Sequence, residues 1–249
     1  MMRLEVIGGI ARLLIDQPLK RNAMTTAMFE AIPGLLAEAE NKKHVRAIVL
    51  MSARAGMFCA GADIGELSGN ADNPEWRRAN QTAINAAQHA LARADRPTVA
   101  FVDGDCVGGG CGLALACDIR VATVRARFGI TPARLGLVYP LHDTKLLIDL
   151  VGPGQAKRIL FTGDLLTAEE ALRIGLIDLI ADHPDDLIGS IAANSLHSQR
   201  ESKAIVRRIL DGQIDDDTET LATFAQAFEG RDFSEGVAAF LGKRKPVFK

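Results

Sequence analysis

Val102-Asp-Gly-Asp-Cys-Val-Gly-Gly-Gly-Cys-Gly-Leu-Ala-Leu-Ala-Cys-Asp118 carries more information about fold and function than any other stretch of this chain. The apolar run from Thr98 to Val102 reads as a buried strand, and Leu113 to Cys117 reads as the start of a helix. Between them lie three consecutive glycines, Gly108, Gly109 and Gly110. Lacking Cβ, they let a ligand approach the backbone closely. They also stand where a helix N-terminus presents unpaired N–H groups to negative charge. Such a stretch serves an oxyanion hole, a phosphate cradle or a tight structural turn. A dinucleotide fingerprint fails, because Leu113 falls where the third glycine of G-x-G-x-x-G belongs, and no Gly-Lys-Ser/Thr ending marks a Walker loop.

A second segment favours the oxyanion reading. Met57-Phe-Cys-Ala-Gly-Ala-Asp-Ile64 follows the strand-like run Arg46 to Met51 and again offers small residues with accessible N–H groups. Two such loops, each at the end of a buried strand, can place one donor apiece on the same carbonyl oxygen. In a dry site one such donor is worth roughly 3–4 kcal/mol to a transition state that develops charge.

Composition describes a single chain large enough to bury a sizeable core, with 249 residues of which 48% are hydrophobic. A net charge of −2 argues against non-specific nucleic-acid binding, so no nucleic-acid partner is expected. No apolar run approaches the roughly 20 residues that span a bilayer, and no membrane partner is expected. Met1-Met-Arg-Leu-Glu-Val-Ile-Gly-Gly9 reads as a strand entering a turn rather than a targeting peptide. Cys59, Cys106, Cys111 and Cys117 form no C-x-x-C pair and read as buried thiols in a reducing, cytoplasmic setting. The histidines show no metal-ligand spacing, and no metal site is expected.

Along the chain, Glu5 to Ile7 and Ile10 to Ile15 flank Gly8-Gly9 as a hairpin. Thr25 to Glu40 has helical spacing with Pro33 as an anomaly inside it. A further helix is expected near Glu75 to Ala94, after the polar, turn-rich and mobile Asn70-Ala-Asp-Asn-Pro74. Thr167-Ala-Glu-Glu170 reads as a capping box opening a short helix that Gly175 closes. From Asp185 the chain reads as almost wholly helical, and no repeat is visible at the residue level.

Phe58-Cys-Ala-Gly-Ala-Asp-Ile64 and Gly108-Gly-Gly-Cys-Gly-Leu-Ala-Leu-Ala-Cys-Asp-Ile119 resemble the crotonase (enoyl-CoA hydratase/isomerase) superfamily. So do Lys20-Arg-Asn-Ala-Met24, Leu172-Arg-Ile-Gly-Leu-Ile177 and the ending from Asp232 to Phe248, in the expected order. The resemblance implies an α/β crotonase fold of stacked ββα turns, with residues 1–184 as the acyl-CoA-binding core. Residues 185–249 would form a helical oligomerisation region building a homotrimer or a dimer of trimers. It implies that acyl-CoA thioesters are substrates, coenzyme A arriving as part of the substrate rather than as a resident cofactor. The N–H groups of Ala62 and Gly109 would hold the thioester enolate. Arg21 would lie near the CoA phosphates and Ala23 near the adenine. Ala60, Gly61, Asp63, Ile64, Gly108 and Gly110 would line the same channel, and Lys243 would meet the phosphates, in some relatives from a neighbouring subunit.

The reaction is where this chain departs from the pattern. Hydratases of the superfamily carry one Glu two residues after the glycine triplet, here Gly112, and a second that gapless alignment places at Pro132. Adding water needs a base and an acid, and neither residue supplies one. Thr131-Pro-Ala-Arg-Leu-Gly-Leu-Val-Tyr139 resembles the methylmalonyl-CoA decarboxylases of the superfamily, where Thr and Tyr at this spacing orient a substrate carboxylate. Those decarboxylases keep a carboxylate at the position of Gly112. Loss of CO2 needs the carboxylate held out of the thioester plane and the enolate stabilised, not a strong base. Asp143, with His142, is a second catalytic candidate; aryl-CoA dehalogenases of the superfamily use an Asp that aligns nearer Pro140. Asp143 also reads as the N-cap of a helix from Thr144 to Val151, and His142 as a solvated loop residue. Two hypotheses follow: a decarboxylase-like enzyme, with hydratase/isomerase and dehalogenase chemistry as alternatives, and an acyl-CoA-binding protein without chemistry.

Overall fold

The computed structural model describes residues 1–248. It opens with a hairpin: β1 (Met2–Ile7) pairs antiparallel with β2 (Ile10–Ile15), Ile7 opposite Ile10. Gly8 and Gly9 both take left-handed φ, +58° and +79°, the geometry a two-residue turn demands. Thr25 then caps α1 (Thr26–Asn41), its hydroxyl accepting from Met28 N–H at 3.3 Å. The helix runs straight through Pro33, whose missing donor costs about 3 kcal/mol. Burial of Phe29, Ile32 and Leu36 on its inner face, about 1.5–3 kcal/mol each, outweighs that cost.

Three turns of one repeating unit follow. Each runs a strand from the parallel part of a large mixed sheet into a corner, then a short extended segment of a second sheet, then a helix. The first is β3 (Ala47–Ser52), the bridge residue Cys59, and the helices α2 (Ile64–Gly69) and α3 (Pro74–Ala92). The second is β4 (Thr98–Val102), β5 (Asp105–Val107) and α4 (Gly109–Ala116). The third is β6 (Ile119–Ala122), β7 (Arg127–Gly129) and α5 (Leu141–Thr162). Then come β8 (Leu166–Thr167), α6 (Ala168–Arg173) and β9 (Leu179–Ile180). The large sheet has the order β1-β2-β3-β4-β6-β9, and the small one β5-β7-β8, to which Cys59 adds through backbone hydrogen bonds alongside Cys106. These are the stacked ββα turns the resemblance implied. The corner at Gly104, φ +93°, is closed to any side chain, because a Cβ there would run into the carbonyl of Gly56.

The structure corrects several local expectations. Helix α4 begins at Gly109, not Leu113, because Gly108 turns the chain at φ +52° and its carbonyl accepts Gly112 N–H at 3.0 Å. The glycines cost helix propensity of about 1 kcal/mol each, and packing forces at least one: a Cβ on Gly110 would meet Cys59 Sγ at 2.5 Å. Helix α5 begins at Leu141 after Pro140, so Asp143 is not its N-cap but lies inside its first turn, and His142 is helical and half-buried. The helix breaks at Gly152, φ +71°, just before Pro153. Helix α2 has no apolar periodicity to announce it. It forms because Asp63 accepts from the N–H groups of Gly65 and Glu66. At α6 only half of the capping box is made: Thr167 accepts from Glu170 N–H, while the Glu170 side chain pairs with Arg158 at 2.9 Å.

After β9 every regular element is helical: α7 (Asp185–Ala193), α8 (Leu196–Leu210), α9 (Thr218–Ala227) and α10 (Arg231–Leu241). No helix among the described residues is long and apolar enough to cross a membrane.

Candidate active site

Two backbone loops meet at the N-terminus of α4. Met24 forms a parallel bridge with Ala62: Met24 N–H donates to Gly61 O at 2.7 Å, and Asp63 N–H donates to Met24 O at 2.9 Å. A parallel bridge uses the residues on either side, so Ala62 itself points its N–H away from Met24. Gly109, as the first residue of α4, has no helical acceptor. Neither N–H finds a protein acceptor among the described residues. A Cβ built on Gly109 would lie 3.9 Å from Ala62 N, so the two donors are neighbours. Ala62, Gly108 and Gly109 are partly accessible, whereas Gly61 and Gly110 are buried. The two buried glycines serve packing: a Cβ on Gly61 would press on Val107 O at 3.2 Å, and Gly110 lies against Cys59. Asn22 holds the facing loop from beneath, its Nδ2 donating to Ser52 Oγ and Phe58 O, both at 2.9 Å.

One helical turn further on, Gly112 forms the floor of a cluster of side chains. Gln88 from α3 donates through Nε2 to Asp143 Oδ1 of α5 at 2.6 Å, and both residues are buried. A Cβ on Gly112 would overlap Gln88 Nε2 and come within 2.8 Å of Asp143 Oδ1 and 3.3 Å of the Tyr139 hydroxyl. The absence of a side chain at position 112 and the presence of the Gln88–Asp143 pair are therefore one arrangement. Tyr139 O–H also reaches back to Gly108 O at 3.4 Å, touching both parts of the site. Gln88 Oε1, Asp143 Oδ2 and His142 Nε2 are buried with no protein partner. Burial raises the Asp143 carboxyl above the usual range, against the lowering effect of the Gln88 hydrogen bond. Burial, then the charge of Asp143, raises the Tyr139 phenol. His142 stacks on His89 with ring centroids 4.2 Å apart, and burial lowers its basicity, so it is neutral at neutral pH.

The other sequence candidates are more scattered. Thr131 precedes the 3-10 turn Pro132–Leu135, half-buried, with no side-chain hydrogen bond among the described residues. Two residues before it, Gly129 O accepts Gly108 N–H at 2.8 Å. Arg21, at φ +51°, donates to Asp105 Oδ2 at 2.9 Å. It lines a hollow of ≈ 400 Å³ with Met57, Ala60, Asp105, Arg125 and Arg127. Ala60 donates to Arg21 O, and Ala23 O accepts from Gln17 Nε2. Asp63 is buried and already occupied: it caps α2 and accepts from Lys20 Nζ at 2.5 Å, the contact that chiefly lowers its carboxyl. Ile64 is exposed. Lys243, exposed beyond α10, makes no hydrogen bond or ion pair with any of these residues. Sequence reasoning missed Gln88. The signal was there: Gln88 falls on the same helical face as the buried Ala83, Ala87 and Leu91, an amide where an apolar residue belongs.

Comparison with known proteins fits this frame. Residues 5–249 match the model of the enoyl-CoA hydratase/isomerase family. A short-chain-enoyl-CoA hydratase of Clostridium acetobutylicum is 34% identical over 97% of this chain and 95% of its own. A crotonyl-CoA hydratase of Syntrophomonas wolfei is 33% identical over 98% and 96%. A crystal structure assigned to the same family, from Hyphomonas neptunium, superposes with a TM-score of 0.95 at 40% identity, covering 100% of this chain and 97% of that one. The chain belongs to the enoyl-CoA hydratase/isomerase family and has the crotonase fold.

Proposed function

We propose that this protein is an acyl-CoA enzyme that makes a thioester enolate by a decarboxylase-like route. Family membership supports the thioester substrate. The neighbouring free N–H groups of Ala62 and Gly109 support an oxyanion hole, in which two donors meet the charge as it develops on the thioester oxygen. The observation that carries the reaction type is Asp143. Burial raises the carboxyl facing Gly112 above the usual carboxylate range, against the pull of the Gln88 and Tyr139 hydrogen bonds, which moves it toward the role of a proton donor.

The proposed steps balance without an external reagent. Thr131 and Tyr139 hold the carboxylate of a malonyl-type thioester out of the thioester plane. The bond from carboxylate carbon to α-carbon breaks, its electron pair passes into the thioester enolate, and CO2 leaves. The proton of Asp143 Oδ2 then goes to the α-carbon, a water returns a proton to Asp143, and the hydroxide so left combines with the released CO2 as bicarbonate. In this reading the Arg21 hollow receives the CoA phosphates.

Hydration or isomerisation is the second reading, favoured by the names of the curated relatives and by the unpartnered Asp143 Oδ2, which in its ionised form would be a base. The test is a mass-spectrometric screen of enoyl-, malonyl-type and aryl-CoA thioesters, followed by a pH profile on the one that turns over. Loss of 44 mass units, with activity falling as pH rises through the Asp143 titration, is the expected result. Gain of 18, with activity rising through the same titration, would establish hydration, and a shifted double bond at unchanged mass, seen in the fragment spectrum, would establish isomerisation. We also propose that α9 and α10 mediate assembly, because Phe224, Phe240 and Leu241 stand exposed there. Sedimentation of the full chain should show a trimer or a dimer of trimers, and a monomer would end that proposal.

A further inference from the structure

Gln88 reaches the cluster from α3, 55 positions away in sequence from its partner Asp143 on α5. Nothing else about its position calls for an amide: its neighbours on the buried face of α3 are Ala83, Ala87, Leu91 and Ala92. A buried Gln among alanines costs desolvation unless its groups are used. Nε2 is used, on Asp143 Oδ1 at 2.6 Å, while Oε1 has no protein partner. The bond fixes which carboxyl oxygen is which. Oδ1 accepts from the amide, so when the carboxyl is neutral its proton sits on Oδ2, the oxygen left without a partner. Gly112 offers no side chain to either group, and the Tyr139 hydroxyl closes the remaining side.

We propose that Gln88 is a positioning residue that holds the Asp143 carboxyl in one orientation and leaves Oδ2 as the oxygen that carries its proton. This rests on the acid–base role given to Asp143 above, and it adds a residue that the resemblance assigns no part. The titratable and polar groups around Asp143 form two shells. Gln88 on α3 and Tyr139 ahead of α5 act on Asp143 directly; Cys111 on α4 and Cys106 on β5 act on Tyr139, and His142, next to Asp143 in sequence, stacks on His89 of α3. Beyond His142 lie Lys145, Arg207 and Arg93. Tyr139 also bears on the carboxyl, but the 2.6 Å bond to Oδ1 comes from Gln88.

The experiment compares Gln88→Met, similar in length but without a donor, with Gln88→Glu, on whichever thioester the wild type turns over, each over a range of pH. In Gln88→Met, kcat is expected to fall about 10-fold or more with KM nearly unchanged, the size of effect that losing a hydrogen bond to a charged group produces. The limb of the pH profile that reports Asp143 should move to higher pH, because the amide bond that lowers its titration is gone. Gln88→Glu should work at acid pH, where a neutral Glu still donates, and fail as pH rises and two carboxyls compete for one proton. A Gln88→Met enzyme with an unmoved limb, or a Gln88→Glu enzyme with the wild-type profile, overturns the inference. If Gln88→Met does not fold, the profile of Gln88→Glu alone decides. Asp143→Asn separates the two claims. An active Asp143→Asn enzyme removes the underlying role of Asp143, whereas an inactive one beside an unmoved Gln88→Met limb removes only that of Gln88.

Discussion

At Gly109 the groups left without a protein acceptor are backbone N–H groups; one helical turn away, at Gly112, the groups that converge are side chains from three separate segments. The first end is local. Gly108 at φ +52° turns the chain into α4, and the Met24–Ala62 bridge leaves one donor over, so a few residues on two loops fix the geometry. The second end is assembled: Gln88 comes from α3, Tyr139 from the segment before α5, and Asp143 from its first turn. A backbone donor cannot titrate, whereas a buried carboxyl can. The first end should therefore work alike at every pH, and pH dependence should enter through the second.

The sharpest break of that comparison is Asp143→Asn. Loss of a positioned acid is expected to lower kcat by about 10²- to 10⁴-fold and to flatten the pH profile between the remaining limbs. Gly109→Pro attacks the other end by removing an N–H donor. It should cost about 10²- to 10³-fold in kcat while leaving the shape of the pH profile unchanged. A Gly109→Pro enzyme with near wild-type turnover would remove the oxyanion assignment. Tyr139→Phe touches both ends and keeps the ring. One hydrogen bond to a charged group is worth about 1.5–3 kcal/mol, or roughly 10- to 150-fold in kcat on a malonyl-type thioester. Binding of a saturated acyl-CoA, measured by calorimetry, should hardly change.

Two smaller effects concern stability. Gly112→Glu restores the residue type of the hydratase pattern, yet it must displace Gln88 and Asp143. Thermal melts should show a loss of about 1–3 kcal/mol, and hydratase activity should not appear. The smallest effect lies beyond both ends. Asp103, held chiefly by Arg125 and also by Gly56 N–H and Thr123, has its carboxyl lowered to about 2. It therefore contributes stability above the ordinary carboxylate range that is lost as pH falls through about 2. Because Arg125 is largely exposed, solvent screening limits the contribution to about 1 kcal/mol. Asp103→Asn should accordingly lower stability by about 1 kcal/mol at pH 7 and hardly at all below pH ~2, making the acid-unfolding profile shallower.

Much of the fold was legible because its signals are local. The hairpin at Gly8-Gly9, the strands β3 and β4, the helices α1 and α3 and the helical ending all follow from periodicity and turn chemistry over a few residues. The start of α4 was misplaced because glycine reads as a break. Here the turn at Gly108 and the contact of Gly110 with Cys59 outweigh its poor helix propensity. The ββα repeat was invisible by eye because its units share a backbone path and register rather than residues.

The sequence by itself determined the glycine-bearing loops, the lack of a carboxylate at Gly112 and Pro132, and the presence of Thr131, Tyr139 and Asp143. It also carried the family. Only the tertiary structure decided that Asp143 leaves the role of a helix cap and turns inward to face Gly112, and that Gln88 meets it there. Periodicity reports which face of a helix is buried, but not which buried faces meet. The space left by a missing side chain on α4 is defined only once α3 and α5 pack over it.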